Sequence, residues 1–563
     1  MPGLLAKERT IASPGFNRWR VPPASIAIHL CIGSVYAWSL FNPPLMKLHG
    51  VVASSADDWT LSQVTWVFTV AIVILGLSAA LGGKWLERVG PRMVGVVSAC
   101  CWGGGFLIGG LGILWRQLWL IYLGYGVIGG VGLGLGYVSP VSTLIKWFPD
   151  RRGMATGLAI MGFGGGAIIG APLMEMLMKH YYERPLYVGT VEQSNLSTLG
   201  GRRFVKVDSH LREVVVVGET EVGQMLVKGP AGAYIVGTGR TGIAETFFTL
   251  GILYFIIMIV AAFSYRLPAP GWSPANWSPP DDTIPNSMIT RHDVNADQAL
   301  RTPQFYLLWI VLCFNVTAGI GVLGVAKTMI GELFGTTLPT IVTSSFNATF
   351  VLMMSLFNMI GRFAWSTASD YFGRKRIYAC FFALGALLYA LIPVIAWQQS
   401  HQPSVWCLVA FYAVTMLIFT MYGGGFAAIP AYLSDLFGTR FVGAIHGRLL
   451  TAWSTAGVLG PVAITFLRER SLRAALVDLG NKVDPTAFQA TFGAPVSQLS
   501  ELIQRKTVTL PQLMAIAPPG TADPSSTLYS STMLTMAGLL VVAFFANAMI
   551  RPVDAVHHHS DLA

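Results

Sequence analysis

Long apolar stretches separated by polar connections recur along the whole chain. Their predicted bounds are 23–46, 62–83, 93–114, 117–147, 154–178, 244–266, 304–331, 342–368, 376–397, 404–433, 443–467 and 528–550. As helices, stretches of about 20 residues or more cross the ~30 Å hydrocarbon core of a bilayer. The pattern therefore predicts an all-α integral membrane protein with twelve transmembrane helices.

A polar segment rich in Pro, Asn, Ser and Asp interrupts this pattern after the sixth stretch. It predicts a linker at 267–303 between an N-terminal six-helix half, 23–266, and a C-terminal six-helix half, 304–550. Four landmark residues of the first half recur 290 positions later as Pro430, Gly443, Gly447 and Gly460. Repeated landmarks in matching helices indicate an internal duplication, and paired halves are a known plan of membrane transporters.

Two polar insertions, 180–243 and 469–527, follow the fifth helix of each half. In the first we predict short hairpin strands around Phe204–Asp208, Val214–Val217, Met225–Lys228 and Tyr234–Gly237, because β-branched and alternating residues favour strands. The second is predicted to be helical, with Asp484 before Pro485 as a start signal. Neither contains a nucleophile–base or phosphate-loop pattern, so we expect a cap of unknown function and no enzyme.

Composition and charge narrow the class of protein further. Hydrophobic residues make up 53% and charged residues 11% of the chain, against about a quarter charged in soluble domains. The net charge of +10 comes from Lys and Arg beside the apolar stretches, which indicates membrane topology and not nucleic-acid binding. This distribution predicts a cytoplasmic N-terminus, 1–22, and a cytoplasmic tail, 551–563, in a plasma (bacterial inner) membrane protein. All six cysteines fall within apolar stretches, so we predict no disulfide, metal site or cofactor.

The connections after the second and eighth helices contain matching charged turns. The first carries Glu87, Arg88 and Arg92 around Gly90, and the second carries Asp370 and Arg374 around Gly373. This turn resembles the loop signature of the major facilitator superfamily, with Glu87 where the family usually has Asp. The resemblance implies a gating role for these five charged residues. The alternative is that they only set the topology, since positive charges are expected there in any case.

More specific motifs narrow the resemblance to the oxalate/formate antiporter family. They are the helix 1 sequence Gly33-Ser-Val-Tyr36-Ala-Trp38-Ser-Leu-Phe41, Tyr137 in the fourth helix, Trp147-Phe-Pro-Asp150-Arg-Arg-Gly153, Leu300-Arg-Thr-Pro-Gln-Phe305, Phe437-Gly-Thr439 and Thr451-Ala-Trp453. The resemblance covers the helical part of the chain. It implies a secondary transporter of small organic anions that works by alternating access of its two halves.

Arg362 is the main candidate for substrate binding. It precedes Asp370 by eight residues, which places it ~12 Å from the helix end at 1.5 Å per residue. An arginine near mid-membrane costs several kcal/mol unless it faces a cavity or a partner, and its guanidinium matches a carboxylate bidentately. The family places a substrate-binding Arg at this position. A purely structural Arg would need a nearby acid, but the predicted helix centres contain no Asp or Glu, and the residue one turn earlier is Asn358.

Other cavity positions of the family are aromatic in this chain. Tyr36, Tyr137 and Tyr422 match them, and Phe163 and Phe426 stand where oxalate transporters have Tyr. Trp453 occupies the position of their second cation, a lysine, so that formate, lactate or pyruvate is as plausible a substrate as oxalate. Tyrosine hydroxyls can donate to a carboxylate and rings exclude water. For each ring taken singly, lipid exposure or helix packing is the alternative.

Several functions remain open from the sequence. We expect exchange of organic anions by a monomer in the bilayer, because a bound carboxylate would relieve the cost of enclosing the Arg362 charge. A proton-coupled monocarboxylate symporter is one alternative, and a membrane sensor that uses the outward insertions is another. A sugar or drug carrier on the same fold is less favoured, because neither clustered Asn and Gln nor an intramembrane acid is evident.

Overall fold

A computed structural model of the chain describes residues 3–190, 193–194, 196–199, 202–208, 210–217, 225–275, 277–278, 288–290, 292–335, 337–492, 495–504, 508 and 510–559. The chain divides into two compact units. The first unit comprises Met1–Ala299, Leu433–Ser454 and Asp554–Ala563, and the second comprises Leu300–Tyr432 and Thr455–Val553. The first unit thus includes Leu433–Ser454, a segment that lies more than a hundred residues after the predicted linker.

Long helices account for most of the described residues. Those of the N-terminal part are α1 Pro22–Gly33, α2 Leu61–Val89, α3 Pro91–Leu114, α4 Leu118–Trp147, α5 Arg152–His180 and α6 Ile243–Ser264. Those of the C-terminal part are α7 Pro303–Phe334, α8 Ser344–Phe372, α9 Arg374–His401, α10 Val405–Phe437, α11 Val442–Gly480 and α12 Ser530–Met549. Within the described part of the chain, eleven helical segments are long and apolar enough to cross a membrane; the first is Arg18–Leu40, which contains α1, and the others correspond to α2–α7 and α9–α12. The twelfth, α8, is the more polar helix that carries Asn358, Arg362 and Asp370.

The charged turns form where glycine allows the chain to reverse. Gly90 separates α2 from α3 with φ 86°, and Gly373 separates α8 from α9 with φ 84°. Residues with a Cβ rarely adopt this left-handed conformation. At the opposite end of α2, Thr60 and Gln63 form a reciprocal capping box that fixes where the helix begins.

The first insertion contains an antiparallel sheet of five described strands in the order β1-β5-β4-β3-β2. Their bounds are β1 Tyr187–Gly189, β2 Ser197–Leu199, β3 Arg202–Val207, β4 His210–Val217 and β5 Gly232–Ile235. The prediction of a strand at Met225–Lys228 is wrong, because this segment forms a bend without a strand partner among the described residues. Burial explains the apolar pattern there, since the Met225 side chain packs with Val215, Val217 and Tyr234.

Two of the predicted helices are interrupted. The first helix ends at Gly33, continues as a 3₁₀ segment, Ser34–Leu40, and is followed by one more helical turn, Asn42–Leu45. α11 is interrupted after Leu449 and then runs as Thr451–Gly480, well into the second insertion. Its extension is rich in Ala, Leu, Arg and Glu, which favour helix without membrane burial. The rest of that insertion contains the short helices Pro485–Phe492, Leu499–Gln504 and Leu510–Ala515, and Asp484 caps the first.

Candidate functional site

Four predicted site residues form an aromatic cluster inside the first unit. Phe163 is central, with its ring centroid 5.0 Å from Tyr36, 5.3 Å from Tyr137 and 5.4 Å from Trp453. Tyr137 and Trp453 are also in contact, at 5.3 Å. Tyr36 is half-buried and the other three rings are buried. The aromatic cluster is therefore Tyr36, Tyr137, Phe163 and Trp453, contributed by four separate chain segments.

Close backbone contact brings these segments together. A Cβ at Gly33 would lie 2.2 Å from the Phe163 carbonyl oxygen, so only glycine allows α1 to approach α5 this closely. Next to Trp453, the Ser454 hydroxyl donates to the carbonyl of Ile72 on α2 at 3.1 Å. Trp453 belongs to the segment Leu433–Ser454, which joins the first unit through contacts of this kind.

Two buried histidines are in contact with the Tyr137 ring. Its ring centroid is 5.3 Å from that of His29 and 5.8 Å from that of His446. Only 2% of His446 is exposed. His446 precedes Trp453 by seven residues, or about two helical turns. That spacing was the available signal that both side chains point the same way.

Arg362 is fully buried in the second unit. Its Nε–H donates to the Asn358 Oδ1 atom at 3.0 Å, one turn earlier on α8. Its guanidinium carbon lies 5.4 Å from the centroid of the Phe426 ring, within the range of a cation–π contact. Phe426 is in turn 5.5 Å from Tyr422 on α10. Three predicted site residues, Arg362, Tyr422 and Phe426, thus form a second group together with Asn358.

The side chains of Glu87 and Arg92 in the first charged turn bond to residues outside that turn. Glu87 accepts a hydrogen bond from Lys146 on α4 at 2.8 Å. Arg92 donates to the backbone carbonyls of Leu4 and Arg9. Arg88 is exposed. Lys146 is a functional candidate beyond the predicted site residues, and its place at the end of an apolar stretch is visible in the sequence.

The charged residues of the second turn pair with each other. Arg374 pairs with Asp370 at 2.5 Å across the Gly373 turn, and it also donates to the Ser369 hydroxyl. Both charged side chains are at most one-tenth exposed. The two copies of the turn therefore share a backbone shape but differ in their ion pairs: Glu87 pairs with a residue of α4, whereas Asp370 pairs within its own turn.

Other ion pairs join the segment Leu433–Ser454 to the rest of the first unit. Arg152 donates to Asp435 Oδ1 and to the Ser434 carbonyl, both at 3.1 Å. Asp297, in the short helix Ala296–Ala299, accepts from Lys84 at 2.6 Å and from Arg448 at 2.8 Å. These two cations, Lys84 first, hold the pKa of Asp297 at about 2.

The sheet of the first insertion is attached to the connection between α1 and α2. Arg202 on β3 pairs with Asp57 at 2.7 Å and with Glu213 on β4 at 3.2 Å. The hydrogen bond from Arg202 lowers the pKa of the Asp57 carboxyl. Val52 from the same connection packs against Val215 and Val217. The insertion is thus fixed to the segment that follows the Tyr36 region.

No metal-binding group of three or more His, Cys, Asp or Glu occurs among the described residues. What the geometry offers is a buried guanidinium beside an amide and a ring in one unit, and a cluster of rings with two imidazoles in the other. The first can bind a carboxylate, and the second can surround an apolar or planar group.

Comparisons with known proteins agree with the helical pattern. The sequence profile of the Major Facilitator Superfamily matches residues 24–190 and 220–461. A crystal structure of a bacterial homologue of the iron transporter ferroportin, in an outward-facing state, is similar with a TM-score of 0.53. The alignment covers 94% of this chain and 100% of that one at 11% sequence identity, which shows a shared fold alone.

Two curated relatives are transporters or carriers of carboxylates by name. The oxalate:formate antiporter of Oxalobacter formigenes is 25% identical over 446 residues, covering 79% of this chain and 83% of that protein. Apicoplast pyruvate carrier 1 of Toxoplasma gondii is 22% identical over 473 residues, covering 75% of this chain and 78% of that protein.

Proposed function

The chain belongs to the Major Facilitator Superfamily and is a membrane transporter, and from this premise we propose that its cargo is a small organic anion. The cargo class is mono- or dicarboxylates such as formate, oxalate, lactate or pyruvate, moved by alternating access. The buried Arg362 is the observation that carries this proposal. The names of the two curated relatives support the same cargo class.

Arg362 is proposed to bind the substrate carboxylate. A fully buried guanidinium is unfavourable unless its charge is compensated, and a carboxylate compensates it with two parallel hydrogen bonds. Phe426 keeps water away from one side of the guanidinium, which strengthens its attraction for an anion. Tyr422, in contact with Phe426, is proposed to contribute a hydroxyl donor.

Tyr36, Tyr137, Phe163 and Trp453 are the other residues proposed to bind substrate. Their four rings provide apolar surface, and the position of a second cation in oxalate transporters is occupied by Trp453. One arginine together with aromatic surface suits a monocarboxylate, whereas a dicarboxylate is better matched by two cations. Monocarboxylates such as pyruvate, lactate and formate are therefore proposed as substrates alongside oxalate.

Exchange is the proposed mode of transport. A carboxylate on Arg362 offsets the electrostatic cost of enclosing this cation, so the loaded transporter should change conformation faster than the empty one. The antiporter among the relatives supports this mode. The alternative, symport with a proton, requires a proton to move with each anion and is separated from exchange by the experiment below.

The remaining roles follow the proposed mechanism. Glu87, Arg88, Arg92, Asp370 and Arg374 are proposed to stabilise one closed conformation at the cytoplasmic ends of the helices. Both termini are proposed to be cytoplasmic in a bacterial inner membrane, because Lys and Arg lie in the corresponding connections. The two insertions are then extracytoplasmic, and we expect the monomer to be functional.

The test is efflux from liposomes that contain the purified chain and are preloaded with radiolabelled pyruvate or oxalate. Exchange predicts slow efflux into plain buffer and fast efflux when the same anion, or formate or lactate, is added outside. Protein-free liposomes are the control. Equal efflux in both buffers, with one proton moved per anion, would support symport instead. No flux of any of the four anions would contradict the proposed cargo class.

A further inference from the structure

His446 adds a buried polar atom to the surroundings of the aromatic cluster. Its ring centroid is 5.8 Å from that of Tyr137, and the same tyrosine ring contacts Trp453 at 5.3 Å. His446 is 2% exposed, and its Nε2 atom has no hydrogen-bond partner among the described residues. A buried polar atom that makes no hydrogen bond is unfavourable. A ligand atom that bonds to this nitrogen would remove that cost.

Close packing at two glycines fixes the backbone that carries His446. A Cβ at Gly447 would lie 2.1 Å from the Ala79 carbonyl oxygen on α2. A Cβ at Gly443, one turn earlier, would lie 2.9 Å from the Ser142 hydroxyl oxygen on α4. Glycine at both positions lets the start of α11 approach α2 and α4 closely. The imidazole is therefore held at the edge of the cluster before any ligand binds.

The two imidazoles beside Tyr137 differ in their hydrogen bonds. The Nδ1–H of His29 donates to the carbonyl oxygen of Ser25, one turn earlier on α1, at 3.1 Å. This bond ties the His29 ring to its own helix. The Nε2 atom of His446 makes no bond of this kind within the described part of the chain. Of the two histidines, His446 is therefore the better candidate for a ligand contact.

The chemistry of an imidazole indicates which ligand atom suits it. In its neutral form, Nε2 donates or accepts one hydrogen bond, according to the tautomer. A charged imidazolium buried here would need a counter-ion, and Glu87, which lies beside Gly443, pairs with Lys146 at 2.8 Å instead. A neutral imidazole matches an uncharged oxygen, such as that of a ketone or a hydroxyl, better than a second carboxylate.

We propose that His446 is a specificity-determining residue whose Nε2 atom bonds to an oxo or hydroxyl oxygen on C2 of the substrate. The inference rests on the proposed function, because it assumes that the residues of the aromatic cluster bind substrate. It goes further by narrowing the preferred cargo to 2-oxo and 2-hydroxy monocarboxylates, such as pyruvate and lactate. Formate lacks this oxygen and oxalate has a second carboxylate in its place, so both should bind more weakly.

The first experiment compares three anions of equal carbon number in the wild-type chain. Propionate is the reference, because it has the carbon chain of pyruvate and lactate without the oxygen on C2. Each unlabelled anion competes with the exchange of radiolabelled pyruvate in liposomes that contain the purified full chain. The inhibition constant of propionate should exceed those of pyruvate and lactate at least about tenfold, since a site that bonds a substrate oxygen rejects the analogue without it. Three equal constants would overturn the inference.

The second experiment removes the nitrogen while a ring remains beside Tyr137. His446→Phe should raise the inhibition constants of pyruvate and lactate about tenfold and change that of propionate little, so that the ratio between them falls to about one. His446→Gln keeps a donor and an acceptor and should retain part of the wild-type ratio. Size-exclusion profiles check folding. If His446→Phe does not yield folded protein, the ratio measured for His446→Leu decides.

His29→Phe is the matched control, because it replaces the other imidazole beside the same Tyr137 ring. Whatever its effect on the overall rate, it should keep the wild-type ratio of propionate to pyruvate. An unchanged ratio in His446→Phe, an equal rise of all three constants in that variant, or the same loss of ratio in His29→Phe would overturn the inference and leave the proposed function intact. Failure of the wild-type chain to exchange any tested anion would instead contradict the proposed function itself.

Discussion

Two buried arginines, one in each unit, have different kinds of partner. Arg152 in the first unit pairs with the carboxylate of Asp435, and the two side chains are 9% and 8% exposed. Arg362 in the second unit is in contact with the amide of Asn358 and the ring of Phe426. Both arginines are buried, but Arg152 pairs with a carboxylate, whereas Arg362 donates to an amide oxygen and lies beside an aromatic ring.

The difference separates a structural arginine from a candidate ligand-binding one. The two charges of a buried ion pair already neutralise each other, so an additional anion would gain no binding energy from the pair. A guanidinium that donates to a neutral amide can still gain two hydrogen bonds from an incoming carboxylate. The surroundings of an arginine, and not its depth alone, therefore indicate which role it has.

The largest expected effect is that of Arg362→Ala. Loss of the guanidinium should lower anion exchange by at least about 100-fold, because a buried charged contact contributes roughly 2–5 kcal/mol. Arg362→Lys should also be severely impaired, because an ammonium cannot reproduce the bidentate fork. Exchange is measured in liposomes, with size-exclusion profiles to check folding. Wild-type flux in Arg362→Ala would remove the proposed distinction between the two arginines.

The complementary change at the other arginine is Asp435→Asn. It leaves Arg152 buried with reduced compensation and should destabilise the protein by about 3–5 kcal/mol. The readout is a lower Tm in detergent, partly restored by the additional change Arg152→Gln. Asp478→Asn, at an exposed pair with Lys482, is the control and should shift Tm little. An equal Tm for Asp435→Asn and the wild type would mean that the pair is not structural.

A third change, Trp453→Lys, introduces a cation into the aromatic cluster. It should shift the preference from monocarboxylates toward a dicarboxylate by about tenfold in the ratio of oxalate to pyruvate competition, equivalent to ~1.4 kcal/mol. Trp453→Leu controls for loss of the ring without added charge. If both probes compete as in the wild type in a well-expressed lysine variant, Trp453 does not contact the substrate.

The smallest effect is expected for Asp297→Asn. The lowered pKa of Asp297, about 2, means that its ion pairs stabilise the folded state above the unfolded pKa near 3.8 and are lost as the pH falls toward 2. The carboxylate is largely exposed, so the contribution at pH 7 should be at most about 1 kcal/mol. The Tm difference between variant and wild type should therefore be small at neutral pH and should decrease as the pH falls from 3.8 toward 2. A difference that stays constant over that interval would exclude the ion pairs as its cause.

Secondary structure was more predictable in the membrane-spanning helices, where the backbone N–H and C=O groups of each helix must bond to one another. Stretches such as the one that became α3 were found within a few residues, because each carries its apolar length and its bounding glycine or proline locally. In the first insertion the pattern failed at Met225–Lys228. Its apolar residues are explained by burial against Val215 and Tyr234, a contact that no local rule contains.

The residues of the candidate site also differ in how far the sequence alone could predict them. Arg362 could be found from its sequence position alone, because an arginine at that depth is costly without a reason. The partners of Glu87, by contrast, could not be found. Lys146 lies 59 residues away, and only the packing of α4 beside α2 brings the two charges within 2.8 Å.

By itself, the sequence determined the membrane-spanning helical architecture, the membership of a transporter superfamily and the candidate arginine, because hydropathy, turn glycines and an intramembrane charge are local properties. Only the tertiary structure decided that Trp453 packs with Tyr137 and Phe163, that His446 is buried beside them, and that Arg362 donates to Asn358. These arrangements depend on how closely helices approach at glycines such as Gly33 and Gly423, and this distance is set by both helices together.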